Sequence, residues 1–180
     1  MPELVILLRA IGPATHKRMT MTQWREAAQR AGFNSPETVI NTGNMIAGFT
    51  GTARKAGDTM TEVLRSFGLG DNVVPVIRSP ALLHRLIKAD PIPEAVADHP
   101  NRTGVYFFAA AKPDFAWLRE HDGPQTVHVV ENHLVVDFGR DVAQAGKLIR
   151  QIDRNCGTNT SRSWSSLVRL AERCRKRRQG

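Results

Sequence analysis

The order of apolar and polar positions predicts alternating strands and helices in the first part of the chain. Residues 4–8 form an unbroken apolar run, which is typical of a strand buried on both faces. Apolar residues then recur at helical spacing from Met21 to Ala31, directly after a Thr-x-x-Gln capping-box pattern. The same reasoning predicts strands over 38–41 and 44–49 joined by a Thr-Gly turn, a helix over 53–67 and an edge strand over 73–78.

A similar order of elements recurs after residue 102. The pattern predicts a strand over 103–109, a short helix over 114–121, and a hairpin of strands 125–130 and 133–138 about Glu131-Asn132. Apolar spacing then marks a helix, a short strand near 158–160 and a final amphipathic helix that begins at Trp164; the first of these helices is marked by Val142, Ala145, Ile149 and Ile152.

The order strand, helix, strand, strand, helix, strand is that of the ferredoxin-like βαββαβ plan. We therefore predict an α+β protein of two ferredoxin-like halves in one compact chain, plus a C-terminal amphipathic helix. The first half covers 1–78, a short helix and linker cover 79–102, and the second half with the terminal helix and a basic tail covers 103–180.

Polar residues follow several predicted strand ends in the first half. In the ferredoxin-like plan, the end of strand one, the turn between strands two and three, and the start of helix one share one end of the sheet. Arg9, Lys17, Asn41 and Asn44 are therefore expected to converge there, beside the partial positive charge of a helix N-terminus. A bidentate arginine with amide donors suits phosphate or carboxylate. The pattern predicts that a small anionic ligand binds at this rim.

A plainer interpretation assigns these residues to the fold. Arg9 then ends a strand in solvent, Lys17 is an ordinary loop charge, and Asn44 caps its own hairpin. Arg162, just before the last helix, either faces the same rim or caps Asn159.

Catalytic motifs are scarce, and we predict no catalytic residue. The chain has no GxSxG elbow, no GxxxxGK[ST] loop and no GxGxxG after a strand. Acylphosphatases place an arginine after strand one and an asparagine near the end of strand two of a ferredoxin-like fold. Arg9 and Asn41 fall in similar places, so an acylphosphatase-like hydrolase is one alternative.

Metal binding has one candidate in the second half. His128 and His133 are expected on one sheet face with Asp137. A half-exposed sheet face explains these residues better than a zinc site does, so we predict neither a metal nor any other cofactor.

The formal charge of +8 is concentrated at one end of the chain. From residue 150 onward there are nine basic residues and two acidic ones, so the remainder is nearly neutral. The cluster of Arg173, Arg175, Lys176, Arg177 and Arg178 is one alternative site, for nucleic acid. We favour a solvated, partly disordered terminus, because the aromatic residues that RNA-binding sheets expose are not evident apart from 106–108.

Composition favours a cytoplasmic protein. No apolar run approaches the roughly 20 residues of a membrane span, so no membrane partner is expected, and no secretory signal is evident. Cys156 and Cys174 form no CxxC pair, which indicates reduced thiols. The pattern does not predict an oligomeric state.

Two stretches resemble a bacterial family, domain of unknown function 1697 (DUF1697). Its opening motif is matched near the N-terminus, and a second motif near the other end is matched by "TSRSWSSLVRL". The resemblance implies no assigned activity. Ala10, Gly12, Pro13-Ala14, Asn41-Thr42 and Ser163 depart from the family pattern. The matching residues are Leu7, Leu8, Arg9, Ile11, Lys17, Met21, Gly32, Phe33, Ile40, Gly43, Asn44, Thr160, Arg162, Trp164, Val168 and Leu170.

Overall fold

A computed structural model of the chain describes residues 1–139 and 142–180. The strands are β1 Glu3–Leu8, β2 Asn34–Thr38, β3 Asn44–Gly48, β4 Pro75–Arg78, β5 Thr103–Phe108, β6 Thr126–Val130, β7 His133–Asp137 and β8 Asn159–Ser163. The helices are α1 Pro13–His16, α2 Met21–Arg30, α3 Ala53–Ser66, α4 Pro80–Ala89, α5 Pro93–Asp98, α6 Gly146–Cys156 and α7 Trp164–Gln179. Short 3₁₀ helices cover Pro100–Arg102, Ala116–Glu120 and Val142–Ala145.

The chain divides into two compact units. The N-terminal unit comprises Met1–Leu83 with Cys174–Gly180, and the C-terminal unit comprises His84–Arg173. Each unit has a four-stranded antiparallel sheet, in the orders β2-β3-β1-β4 and β6-β7-β5-β8. The predicted α+β class is therefore confirmed.

One face of the first sheet packs on α2 and α3. Alternate β1 residues such as Ile6 join Trp24 of α2 and Met60 of α3 in one buried cluster. The indole N–H of Trp24 lies 3.1 Å from the sulfur of Met60. The predicted capping box starts α2, because the Thr20 hydroxyl accepts from the Gln23 amide while the Gln23 side chain accepts from the Thr20 amide. These two reciprocal hydrogen bonds fix the residue at which α2 begins.

The core of the second sheet lies against α6. Leu134 and Val136 of β7 pack with Leu148 and Ile152 of α6. The predicted two-residue turn at Glu131-Asn132 is confirmed, because Val130 pairs with His133.

The structure differs from the predicted elements in three places. The strand predicted over 38–41 lies earlier, at Asn34–Thr38, because Ile40 takes φ +58° and leaves the extended region. The predicted linker contains α5, which starts with Pro93 and Glu94 in favourable first-turn positions. Residues 116–120 form only a 3₁₀ turn.

The basic tail is also ordered differently from our expectation. It continues α7 as regular helix to Gln179, so the partly disordered terminus that we favoured is wrong. No helix among the described residues combines the length and apolar character that a bilayer span needs.

His99 links α5 to the second sheet by two short contacts. Its Nδ1 lies 2.8 Å from Asp98 Oδ2, and its Nε2 lies 2.8 Å from Asp137 Oδ1. Hydrogen bonds to Asp98 and then to Asp137 raise the pKa of His99 above its ordinary value. Both ring nitrogens donate only when the imidazole is protonated, so the contact favours the cation.

This histidine should make stability depend on pH. Because the folded-state pKa is raised, its contribution is fully present below about pH 6.5 and is lost as pH rises through the folded value. We expect His99→Gln to destabilise the protein in urea unfolding at about pH 6 and to have a smaller effect at about pH 8.5. A pH-independent difference between the two proteins would contradict this assignment.

Candidate functional site

The turn before β3 packs directly on the loop after β1. Leu8 donates its amide to the Gly43 carbonyl at 2.8 Å. Gly43 has φ +75°, and a Cβ there would lie 2.6 Å from Ile11 Cγ1 and 3.0 Å from Leu8 Cβ. Only glycine fits this approach without displacing the loop. The loop after β1, which begins with Arg9, and the turn before β3, which contains Asn41, are therefore neighbours in space.

Asn44 turns inward and supports the turn. Its side chain is fully buried and donates to the Val39 carbonyl at 3.0 Å and to the Thr42 hydroxyl at 2.9 Å. The interpretation in which this amide caps its own hairpin fits these contacts.

The cations at the rim occupy different positions. Arg9 is half-buried and pairs its backbone amide with the Val74 carbonyl at 2.9 Å, while Lys17 is exposed. Arg18 reaches the carbonyl of Gly68. Ala10, with φ +61°, shapes the loop between Arg9 and Lys17, and its carbonyl accepts a hydrogen bond from the Thr15 hydroxyl.

Asn41 borders an open groove at the start of α2. The groove has a volume of about 320 Å³ and is lined by His16, Thr20, Met21, Thr22 and Asn41. None of these side chains is acidic. Of the residues predicted for the rim, Asn41 is the one that lines this groove.

A further cation that the sequence did not reveal contacts one residue of the groove lining, Thr22. Arg25 donates through Nη2 to the Thr22 hydroxyl and through Nη1 to the Thr38 hydroxyl, each at 3.1 Å. It thereby connects the first turn of α2 to the end of β2. Its three-residue spacing from Thr22 was the available sequence signal, but the approach of β2 is tertiary.

Arg162 belongs to the C-terminal unit. It is 8% exposed in β8, and its guanidinium donates to the Thr160 hydroxyl and the Ser161 carbonyl, both at 2.7 Å. Burial lowers its pKa to about 10. Asn159 donates instead to Asp153 and the Gly157 carbonyl.

The basic end of α7 is fastened to the first sheet by Arg177. Its guanidinium donates to Glu3 at 2.7 Å, to Glu37 at 3.1 Å and to the Ser35 carbonyl at 2.9 Å. Partial burial lowers its pKa, but the hydrogen bonds to the two carboxylates raise it overall. The neighbouring Arg173, Arg175, Lys176 and Arg178 are exposed.

Several other residues with a possible chemical role are buried in the C-terminal unit or in α7. Tyr106, Phe107 and Phe108 are all buried, so these rings do not form an exposed stacking platform. His133 is also buried, edge-on to Phe107 with ring centroids 5.3 Å apart. Burial raises the pKa of the Cys174 thiol to about 12, which leaves it protonated and unreactive.

No group of three or more histidine, cysteine or acidic residues suited to a metal ion occurs within residues 1–139 and 142–180.

Comparison with known protein families shows which family the chain belongs to. A family model described as "Protein of unknown function (DUF1697)" matches residues 1–135. The chain belongs to the DUF1697 family. A search of curated proteins found no match.

A solved structure has the same fold as this DUF1697 chain. It is the conserved bacterial protein SP0830 from Streptococcus pneumoniae, with a TM-score of 0.76 and 12% sequence identity. The match covers 97% of this chain and 99% of that one. At this identity the likeness establishes the fold alone.

The glycine in the turn can be tested directly. We expect Gly43→Ala to lower the free energy of unfolding by about 1–3 kcal/mol, because the new methyl meets Ile11 and the positive φ disfavours alanine. Urea unfolding measures the change.

Gly57→Ala is the matched control, since its Cβ would make an ordinary 3.6 Å contact with Ile77. In the interior of α3 it should be neutral or stabilising by about 0.5–1 kcal/mol. Equal effects of the two variants would contradict the close approach at Gly43.

Proposed function

We propose that the N-terminal unit binds a small anionic ligand, bearing phosphate or carboxylate, in the groove at the start of α2. The observation that carries the proposal is a groove lined by an imidazole, two threonines, a methionine and the Asn41 carboxamide, without a carboxylate. Such a lining offers hydrogen-bond donors and no charge that would repel an anion.

The helix start adds donors aimed along its axis. The capping box occupies the amides of Thr20 and Gln23. The next two amides, of Met21 and Thr22, make no hydrogen bond to any residue in 1–139 or 142–180. Both residues line the groove, so their N–H groups and the partial charge of about +0.5 at the helix start favour an anion there.

Three cations lie on the segments next to the groove: Arg25 is on α2 three residues after Thr22, Lys17 follows His16, and Arg9 follows β1. Arg25 is held against Thr22, and its fork geometry suits bidentate contact with phosphate or carboxylate. Arg9 and Lys17 add positive potential at the same end of the sheet. Asn41 and Arg25 are then the direct ligands, and Arg9 and Lys17 attract the anion. In this proposal, Asn44 shapes the turn and Arg162 contributes nothing to the site.

Two further parts of our interpretation concern the fold plan and the cellular location. The strand order β2-β3-β1-β4, repeated as β6-β7-β5-β8, supports the ferredoxin-like plan in halves of 1–78 and 103–180 joined by 79–102. We also infer a cytoplasmic location, for which two buried thiols without a disulfide are support.

Binding should appear as ligand-dependent thermal stabilisation. We expect phosphate or pyrophosphate to raise the melting temperature of the wild-type protein at constant ionic strength, and chloride to have no such effect. Asn41→Ala should remove most of the phosphate-dependent shift, because it loses a direct donor, and Arg9→Ala should reduce the shift, because it removes a rim charge.

Arg30→Ala is the matched control, since it removes the same charge from the exposed far end of α2, roughly 13 Å along the helix from Met21. It should retain the shift. If Arg9→Ala and Arg30→Ala reduced it equally, the effect of Arg9 would be one of net charge alone, and a full shift in Asn41→Ala would contradict binding in the groove. Hydrolysis of an acyl phosphate above background, abolished in Asn41→Ala, would instead support the acylphosphatase-like alternative.

The exposed cations of α7 support nucleic-acid binding as a second candidate function. They project from a regular helix, and Arg177 is already engaged by Glu3 and Glu37. Changing Arg175, Lys176 and Arg178 to Gln therefore removes the proposed interactions with nucleic-acid phosphates and leaves that ion pair intact. Under this alternative, the slope of log affinity against log salt is negative, and it should become less steep by about 0.9 for each phosphate of duplex DNA that is no longer neutralised.

The measurement is a salt titration of binding to duplex and single-stranded DNA. Wild-type protein that fails to bind either at about 0.1 M salt would exclude this second function. Retained binding in the triple variant would place the nucleic-acid interface elsewhere.

A further inference from the structure

Four strands lie at the edges of the two sheets, and one of them lacks the usual protection. β2 contains Pro36 and an irregular register between Asn34 and Glu37. β4 begins with Pro75 and has four residues, and β8 carries Arg162 and runs directly into α7. β6 reads Thr-Val-His-Val-Val, without proline, glycine, a formal charge at neutral pH or a bulge. An edge of this kind is a template for pairing with another strand.

The free edge of β6 can be identified from the register. The Phe138 amide donates to the Arg102 carbonyl at 3.0 Å, so the even-numbered positions of β7 point their backbone groups toward β5. The odd-numbered positions therefore pair with β6, which uses the backbone groups of Thr126, His128 and Val130. The amide and carbonyl groups of Val127 and Val129 point away from the sheet.

The exposure of the β6 side chains also indicates that this edge of the sheet is uncovered. Val129 is 48% exposed, although its neighbours on the same face, Leu134 and Val136, are fully buried. No hydrogen bond joins the backbone of Val127 or Val129 to a residue outside the β6–β7 ladder in the described part of the chain.

We propose that β6 pairs antiparallel with β6 of a second copy of this chain, about a twofold axis at His128. In this register Val127 lies opposite the partner's Val129, and Val129 lies opposite the partner's Val127. Each pair exchanges two backbone hydrogen bonds, and the two sheets become one eight-stranded sheet. The exposed face of Val129 is covered by the partner's Val127.

The strand favours a second copy over an unrelated partner because its sequence is nearly palindromic. Read outward from His128, it places valine on both sides and then Thr126 or Val130, both β-branched. A twofold interface requires this self-complementarity. Since the strand carries no formal charge at neutral pH in a chain of net charge +8, pairing does not bring like charges into opposition there.

Neighbouring registers satisfy fewer groups. An axis at Val127 would place Val129 opposite the partner's Gln125, whose carbonyl is already in contact with the His121 ring at 3.1 Å. An axis at Val129 would place Val127 opposite the partner's Glu131, a turn residue with φ +52° that is not extended. The axis at His128 pairs all four valine backbones.

The test is the mass of the full-length protein by sedimentation equilibrium. One strand pair buries less than a standard interface, so we expect a dissociation constant on the order of 100 µM. The average mass should rise from 20.0 kDa toward twice that value between about 10 µM and 1 mM. Val129→Lys should weaken association at least about tenfold, because it places a desolvated charge at the centre of the pairing.

Ile149→Lys is the control, since Ile149 on α6 is also an exposed apolar residue, at 39%, and receives the same charge. It should associate like the wild-type protein. Circular dichroism establishes that both variants fold. A wild-type mass constant at 20.0 kDa, or equal weakening by both variants, would overturn the proposal.

Amide hydrogen exchange identifies the register. The amides of Val127 and Val129 should become protected as protein concentration rises, whereas the Thr126, His128 and Val130 amides should be protected at every concentration. Dimers in which the two valine amides stay unprotected would place the interface elsewhere and overturn the assignment.

Discussion

The arrangement of the N-terminal unit depends on one close approach, that of Gly43 to Leu8 and Ile11. A backbone without a side chain at this turn allows the β2–β3 connection to lie on the loop that follows β1. Asn41 is two residues away from Gly43, and Arg9 is adjacent to Leu8 in the chain. Their common location at one end of the sheet therefore results from packing at a glycine. Asn44, which looks like a ligand in the sequence, stabilises the same turn from inside.

Local signals were sufficient for much of the fold. The capping box before α2 and the two-residue hairpin at Glu131-Asn132 depend on side chains only a few positions apart, and both were predicted correctly. β2 was misplaced because it is a polar edge strand containing Pro36, without the alternation that marks a half-buried strand. α5 was missed because prolines on either side of Ile92 resemble a linker, although Pro93 occupies a favourable first-turn position.

The candidate site was only partly accessible from the sequence. Strand order placed Arg9 and Asn41 at one end of the sheet, but it does not determine which way a side chain turns. Arg25 is held between α2 and β2 because β2 supplies the Thr38 hydroxyl to its second nitrogen. This contact joins positions thirteen residues apart and has no periodic signature. Chain-level patterns therefore predict where a site lies better than which groups form it.

The ion pairs of Arg177 have a consequence for folding order. Glu3 and Arg177 lie in the same compact unit but are 174 positions apart in the sequence. Joining them closes a loop that contains the whole segment His84–Arg173, so this contact carries a high loop-closure entropy. We therefore expect the last turn of α7 to dock on the first sheet late in folding, after local contacts within residues 1–83 have formed.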